Sequence, residues 1–394
     1  MASSDQLPGS KRQLPQPPAA TKQPRLAPEM KPLARFALHP LSKYRLACPQ
    51  FKEPRELLSF SYDDQRQMQM DNRQLRYYQP PQLDPPLSLY AGIEQQILRD
   101  SSKNEHIDGL LAALTHLNQD RQEPADFVMY RGMLTRLFVT PFSTRDRWSM
   151  NATRVGQTIY VEEDLLPEKL AERQSLSEQH QRATYGGYKF ESLCMIDAPA
   201  HTLTAEQLAA KLQARESAIV NTNSEYCSVF RTQLGPHALI LGAEVDCVDG
   251  EKLDEFPARG YRELKTSRVL DSDRAQHSFE RYKLLKCWAQ SFIAGIPRVT
   301  IGFRDDEGYL REVRDIRTQD MPRIVRNKPR MWEANVCMNF ATQILQFLRY
   351  WVSEQGPEVQ YRLEYDPDAT EIRVHALGKQ APFVTAEYIH SLSK

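Results

Sequence analysis

Apolar residues recur along this chain with two different periods, and the change of period marks the elements. Ile93, Ile97, Ile107, Leu110, Leu111 and Leu114 fall at helical spacing and predict one or two amphipathic helices, with a break near Ser101-Ser102. Thr204 followed by Gln207 is a capping box opening a short helix with Leu208 and Leu212 inward, and its Ala, Gln and Glu content suggests a peripheral element. Period two then takes over, and residues 238–248, 261–266 and 299–303 read as three strands. Between the second and third, residues 279–296 predict a helix with Leu284, Leu285, Trp288 and Phe292 on one stripe. Val336, Phe340, Ile344, Phe347, Leu348 and Trp351 define a long core helix. Strands and helices without strict alternation predict an α/β (α+β) fold, a central mixed sheet flanked by helices.

Composition adds boundaries. Residues 1–32 carry seven of the 26 prolines and almost no large apolar side chain, too little to offset the entropy of ordering. The expected organisation is a disordered, Pro-rich basic tail over residues 1–32 and one large domain over residues 33–394. Lys11-Arg12 and Lys22-Gln-Pro-Arg25 resemble a loose bipartite import signal and point to the nucleus; a solvated tail that no receptor reads is the competing interpretation. Lysine plus arginine and aspartate plus glutamate both number 51, which excludes coating of nucleic acid by bulk charge but leaves room for a local basic cleft. No run approaches the roughly 18–20 apolar residues of a spanning helix, and no apolar signal-peptide core opens the chain. A soluble, non-secreted protein without a membrane partner is expected. The six cysteines lie 20 or more residues apart, so reduced, mostly buried thiols are expected rather than zinc or disulfides.

The informative stretch is Gly242-Ala-Glu244-Val-Asp246, then Tyr261-Arg-Glu263-Leu-Lys265, then Lys286-Cys-Trp-Ala-Gln290. Side chains alternate along a strand, so Glu244 and Asp246 share a face about 7 Å apart, as do Glu263 and Lys265, while Leu264 points the other way. If the two strands are adjacent, three carboxylates and an ammonium converge. A lone acid pair of this kind is usually a solvated polar face. Here Leu239, Ile240, Leu241 and Val245 mark the strand as central, where unpaired acids are costly. A hard divalent cation relieves such repulsion, so Mg²⁺ or Mn²⁺ is the implied filling. A lysine beside it can hold a phosphate oxygen or orient the water of an in-line phosphoryl displacement. Gln290 shares the polar face of its helix with Lys283 and Lys286. Residues 259–330 hold 17 basic and 10 acidic side chains, a wall suited to a polyanion. Glu191, following Gly186-Gly187, reads by itself as an ordinary surface acid. Two other readings stay open: a non-catalytic RNA-binding or scaffold protein on the same fold, and a carboxylate-pair hydrolase such as a glycosidase.

The spacing acid-x-acid, 16 intervening residues, then Glu-x-Lys resembles the PD-(D/E)XK nuclease core. With Tyr130-Arg-Gly132, Gly187-Tyr-Lys-Phe-Glu191, Glu263-Leu-Lys-Thr-Ser267 and Lys283-Leu-Leu-Lys-x-Trp-Ala-Gln-Ser-Phe292, the order of motifs resembles the DXO decapping exonuclease family. Leu75-Arg-Tyr-Tyr78, Asn221-Thr-Asn223, Cys227-Ser-Val229 and Val336-Cys-Met-Asn-Phe340 fit the same pattern, over roughly residues 50–390. The resemblance implies a nuclear enzyme with two Mg²⁺ or Mn²⁺ ions per site. Such an enzyme hydrolyses RNA at capped, NAD-capped, triphosphate or monophosphate 5′ ends, removes incomplete or NAD-type caps, degrades RNA 5′→3′ and serves mRNA quality control. It names no protein partner, and a monomer would suffice. By position, Glu191, Glu244, Asp246 and Glu263 match metal-binding carboxylates, and Leu264 lends a backbone carbonyl. Lys265 and Gln290 match residues that hold the scissile phosphate and the nucleophilic water, and Glu244 also lies at the substrate. Arg131 matches a phosphate contact, with Tyr130 and Gly132 beside it; Arg55, Glu105 and Cys227 match further substrate contacts.

Deleting residues 1–32 removes no core side chain, so melting temperature and catalysis should stay nearly unchanged. Nuclear accumulation of a fluorescent fusion should fall; an unaltered distribution would remove the import signal from the account.

Overall fold

Period-two segments assemble into two mixed sheets in the computed structural model, which describes residues 31–120, 122–164 and 177–393. Residues 1–30 of the expected tail lie outside the described residues. The larger sheet runs, in spatial order, Ala34–Ala37, Glu371–Lys379, Gly356–Asp366, Trp148–Val155, Thr158–Glu163, Phe127–Tyr130, His237–Glu244, Glu225–Leu234, Phe51–Tyr62 and Met68–Gln69. The smaller runs Leu310–Arg317, Arg298–Arg304, Tyr261–Arg268, Cys247–Val248, Tyr77–Tyr78 and Met195–Ile196. Helices flank both, so the expected mixed α/β architecture holds, with two sheets where the hydropathy pattern suggested one.

The second sheet arises from a break inside residues 238–248, which do not form one strand. His237–Glu244 lies in the larger sheet, parallel to Phe127–Tyr130 and antiparallel to Glu225–Leu234. The chain then crosses at Val245-Asp246, and Cys247–Val248 pairs antiparallel with Tyr261 and Arg262 in the smaller sheet. The alternation of apolar and acidic residues cannot reveal such a crossing, because Ala243, Val245, Cys247 and Val248 are buried on both sides of it. A second correction concerns residues 93–107. Ile93–Gln95 is a single 3₁₀ turn, Ile97 bridges Asn221, and only Asp108–Leu117 is an α-helix. Ile107, Leu110, Leu111 and Leu114 are buried there as predicted, whereas Ile97 stays exposed.

The other helices match their patterns more closely. Ala334–Trp351 buries Val336, Phe340, Ile344 and Leu348. Thr204 caps Ala205–Ser217 with both bonds of the capping box, and Leu208 and Leu212 are only half-buried, as a peripheral helix requires. The helix expected at residues 279–296 begins earlier and changes pitch: Asp273–Ser278, one π turn at Phe279–Lys283, then Leu284–Ala294. Glu280 in that turn is buried against Lys328 Nζ at 2.6 and 2.7 Å, and its carbonyl accepts from Trp332 Nε1 at 2.9 Å. Trp332 in turn stacks on Trp288, centroids 5.0 Å apart. Five of the six thiols are buried and free, with only Cys48 exposed. Among the described residues no helix is long and apolar enough to cross a membrane.

One contact ties this packing to the candidate chemistry. Helix Glu178–Cys194 runs unbroken through Gly186-Gly187 and seats Phe190 against Gly302, where an added Cβ would stand 2.4 Å from the ring. Gly302→Ala should therefore cost about 1–3 kcal/mol in denaturant melts and displace Glu191, the next residue. Pairing it with Phe190→Leu should recover part of that loss.

Candidate active site

Two strand ends and one crossing build the site. Phe127–Tyr130 ends where helix Arg131–Val139 begins, and its parallel register places Tyr130 beside Gly242. Two residues on, Glu244 closes its strand opposite Cys227. Asp246 occupies the crossing, and its Oδ2 accepts the Leu264 backbone N–H at 2.6 Å, fixing the acid to the neighbouring strand. Glu263 and Lys265 project on the opposite side of that strand from Leu264, which is buried with Phe190 and Cys194. Glu191 enters from helix Glu178–Cys194, within electrostatic reach of Asp246, Lys265, Glu244 and Glu263.

Four buried or crowded carboxylates thus face two cations. Arg131 Nη1 lies 2.9 Å from Glu263 Oε2, and Lys265 Nζ lies 2.7 Å from Glu263 Oε1 and 3.7 Å from Asp246 Oδ2. Lys265 Nζ also donates to the Leu264 carbonyl at 3.0 Å. Burial alone would raise the Glu263 carboxyl, but Arg131 and Lys265 outweigh it and draw it down to about 2. Glu244, crowded by protein yet still open to the cleft, is pushed up to about 8 by burial and then by Glu225 and Asp246. Burial and the neighbouring acids likewise raise Glu191 and Asp246. The two cations leave this negative charge only partly balanced, and oxygen donors in such excess suit a hard divalent cation. Among the described residues no three acidic, His or Cys side chains are already gathered in metal-holding geometry; Lys265 stands among the carboxylates instead.

Two cavities meet at this cluster, sharing Glu225 and Glu244. The first, about 290 Å³, is lined by Tyr62, Arg66, Glu105, Tyr130, Cys227 and Glu244 among others. Gly242 makes room for the Tyr130 ring, which a Cβ there would approach to 2.9 Å. The second, about 440 Å³, is walled by Tyr188, Glu191, Glu244 and Asp246 and reaches outward to Arg76, Ile97 and Ile219.

Most residues singled out from the sequence converge here: Glu191, Glu244, Asp246, Glu263, Leu264, Lys265, Arg131, Tyr130, Glu105 and Cys227. Gly132 is exposed in the first turn of its helix, with nothing within 4 Å of where a Cβ would be. Gln290 is half-buried two turns beyond Lys283, whose ammonium feels the charge of Lys265, so the two share the helix face turned toward the cluster. Arg55 lies apart from this gathering. It opposes Arg231, four residues along the strand from Cys227, and pairs with Glu123 at 2.9 Å on the surface. Arg66 is the arginine that lies at Glu105. Its guanidinium lies 3.8 Å over Tyr62 and 2.9 and 2.7 Å from Glu105 and Glu225. Arg99 closes the network 2.8 Å from Glu105; burial opposes, but the two guanidiniums hold the Glu105 carboxyl below its usual range. Arg66, Arg99, Glu225 and Tyr188 escaped sequence reasoning. Arg66 sits in a turn with φ of 64°, where no periodicity operates. Only the adjacent Asn221-Thr-Asn223 could have hinted at Glu225.

Comparison with known proteins bears on this geometry. The family model described as RAI1 like PD-(D/E)XK nuclease matches residues 52–389. The chain is 35% identical to the "Decapping and exoribonuclease protein" of Xenopus laevis, covering 83% of this chain and 82% of that one. It is also 35% identical to the "Decapping nuclease RAI1" of Emericella nidulans, over 82% and 88% respectively. Among solved structures, Scheffersomyces stipitis Rai1 in complex with (3′-NADP)⁺ and calcium ion superposes with a TM-score of 0.81 at 25% identity, covering 92% of this chain and all (100%) of that one.

The placement of the two arginines is directly testable. Arg66→Ala leaves Glu105 and Glu225 with Arg99 alone, and should cost about 1–3 kcal/mol in denaturant melts. Arg55→Ala removes a surface pair and should change stability by less than about 1 kcal/mol.

Proposed function

Because the chain belongs to the RAI1-like PD-(D/E)XK nuclease family, we propose that it is a decapping nuclease that hydrolyses phosphodiester bonds at RNA 5′ ends. The observation that carries the reading is the gathering of Glu244, Asp246, Glu263 and Lys265 from two sheets, with Glu191 and Arg131 beside them. An inert scaffold would have no reason to bury four acids around one ammonium at such cost.

Glu191, Glu244, Asp246, Glu263 and the Leu264 carbonyl would hold Mg²⁺ or Mn²⁺, two ions by our reading, and the metal would supply charge stabilisation and a nucleophilic water. Lys265 is positioned to hold the scissile phosphate once the carboxylates turn toward the ions. Gln290, on the same side, is assigned to the water. Arg131 keeps Glu263 ionised and presents its remaining N–H groups to substrate phosphate, next to the exposed first turn at Gly132. Tyr130, Glu105 and Cys227 line the cavity for the 5′ terminal group.

We assign this protein to incomplete and NAD-type caps, followed by 5′→3′ trimming, in nuclear mRNA quality control. The NAD-type assignment is supported by the dinucleotide in the S. stipitis complex. Trimming after decapping is supported by the name of the Xenopus laevis relative, which joins the two activities. Nuclear location is supported by Lys11-Arg12 and Lys22-Gln-Pro-Arg25.

The test is release of cap-containing fragments from triphosphate, unmethylated, methylated and NAD-capped RNAs with Mg²⁺, with chelator as control. Glu263→Gln should collapse turnover, with partial recovery at high Mn²⁺. Lys265→Ala should keep RNA binding and lower turnover by about 100-fold or more at every metal concentration. Near-normal decapping by Lys265→Ala would defeat the assignment.

A further inference from the structure

Helix Ala205–Ser217 lies at the periphery and brings no side chain to the carboxylates, yet two buried cations meet at its C-terminal end. Lys189, from helix Glu178–Cys194, is 2% exposed, and its Nζ donates to the carbonyls of Glu216 and Ala218 at 2.7 and 3.2 Å. Arg215, 8% exposed, donates from the peripheral helix to the carbonyls of Gln79 and Pro80 at 2.7 and 3.1 Å. Among the described residues neither cation pairs with a carboxylate.

The last carbonyls of a helix lack intrahelical partners and form its negative end, so they suit an ammonium. That explains how Lys189 is satisfied. It does not explain why a charge that is costly to bury stands on the helix that carries Glu191.

The reason lies in the turn around Glu191. Lys189 precedes Glu191 by two residues, which at 100° per residue sets the two side chains on opposite sides of the helix. Phe190 lies between them, seated at Gly302. Three residues after Glu191 the helix ends, and the Cys194 carbonyl accepts the Gln79 N–H at 2.7 Å. Gln79 is the residue whose carbonyl Arg215 holds. The end of the peripheral helix therefore grips its neighbour on both sides of Glu191, directly at Lys189 and through Gln79 at Cys194.

The force on this turn is electrostatic. Asp246, Glu244 and Glu263 repel Glu191, and Lys265 offsets only part of that repulsion. The Phe190 contact is apolar and gives little directional hold. Hydrogen bonds from Lys189 have direction, and they fix the rotation and height of the turn.

We propose that Lys189 is a positioning residue: with Arg215 it clamps the Glu191 turn to the end of helix Ala205–Ser217, holding Glu191 among the other carboxylates against their repulsion. The proposal rests on the nuclease reading and gives the peripheral helix a task in it, the placing of one carboxylate for a divalent cation.

The experiment measures Mn²⁺ binding to the full chain without substrate, by titration calorimetry, alongside RNA cleavage. Lys189→Met keeps the length of the side chain and loses its donors. It should weaken Mn²⁺ binding about tenfold or more and lower kcat, with KM nearly unchanged. Lys189→Arg can still donate to both carbonyls and should recover most of the affinity. Arg215→Met should show a smaller loss of the same kind. In a Glu191→Gln background, Lys189→Met should have no further effect on Mn²⁺ affinity, because it acts through Glu191. Ile344→Val, a change in the core stripe of Ala334–Trp351, should lower the melting temperature and leave Mn²⁺ affinity as it was. Wild-type Mn²⁺ affinity in either Met variant would overturn the proposal. So would an equal loss in the Glu191→Gln background, or from Ile344→Val. Lys189-dependent Mn²⁺ binding by a protein that cleaves no RNA would uphold the clamp and sink the nuclease reading instead.

Discussion

Four carboxylates crowded around one ammonium set the terms for the rest of this structure. Like charges in a water-poor cleft repel strongly, and the chain balances them from two directions: Lys265 from within the same strand and Arg131 from a helix of the other sheet. Glu263, held between both, remains ionised, whereas Glu244, Asp246 and Glu191 are pushed toward protonation by burial and by one another. A cluster so biased favours binding of further positive charge.

That balance explains the architecture around it. The larger sheet delivers Glu244 and Arg131 at the ends of adjacent parallel strands, and the smaller delivers Glu263 and Lys265. The crossing at Val245-Asp246 is the joint, and the bond from the Leu264 N–H to Asp246 pins it. Helix Glu178–Cys194 can bring Glu191 near only because Gly302 admits Phe190. Packing and chemistry therefore meet in neighbouring residues, Phe190 beside Glu191 and Leu264 beside Glu263 and Lys265.

The cleft is divided by the same cluster. On one side Arg66 and Arg99 compensate Glu105 and Glu225 along the wall of the first cavity. On the other, Arg76 has no acidic counterpart among the described residues, and exposed apolar side chains reach to the surface.

Much of this was legible in the sequence. Alternation alone placed Glu244 with Asp246, Glu263 with Lys265, and Leu264 away from them, because side-chain direction along a strand is local. The core stripe of Ala334–Trp351 and the capping box at Thr204 were equally local. The ordered motifs carried Glu191 and Arg131 to the site by resemblance, where residue-level reasoning would have left Glu191 on the surface. Tertiary structure alone decided that residues 238–248 split between two sheets, that residues 93–107 are mostly not helical, and that Arg66 and Arg99 accompany Glu105. It also decided that Arg76 stands without a carboxylate. The reason is common to all four: each depends on which distant segments bury an apolar run or balance a charge. Periodicity reports only that a side chain is apolar or charged, whereas the partner that buries or neutralises it is set by contacts far along the chain.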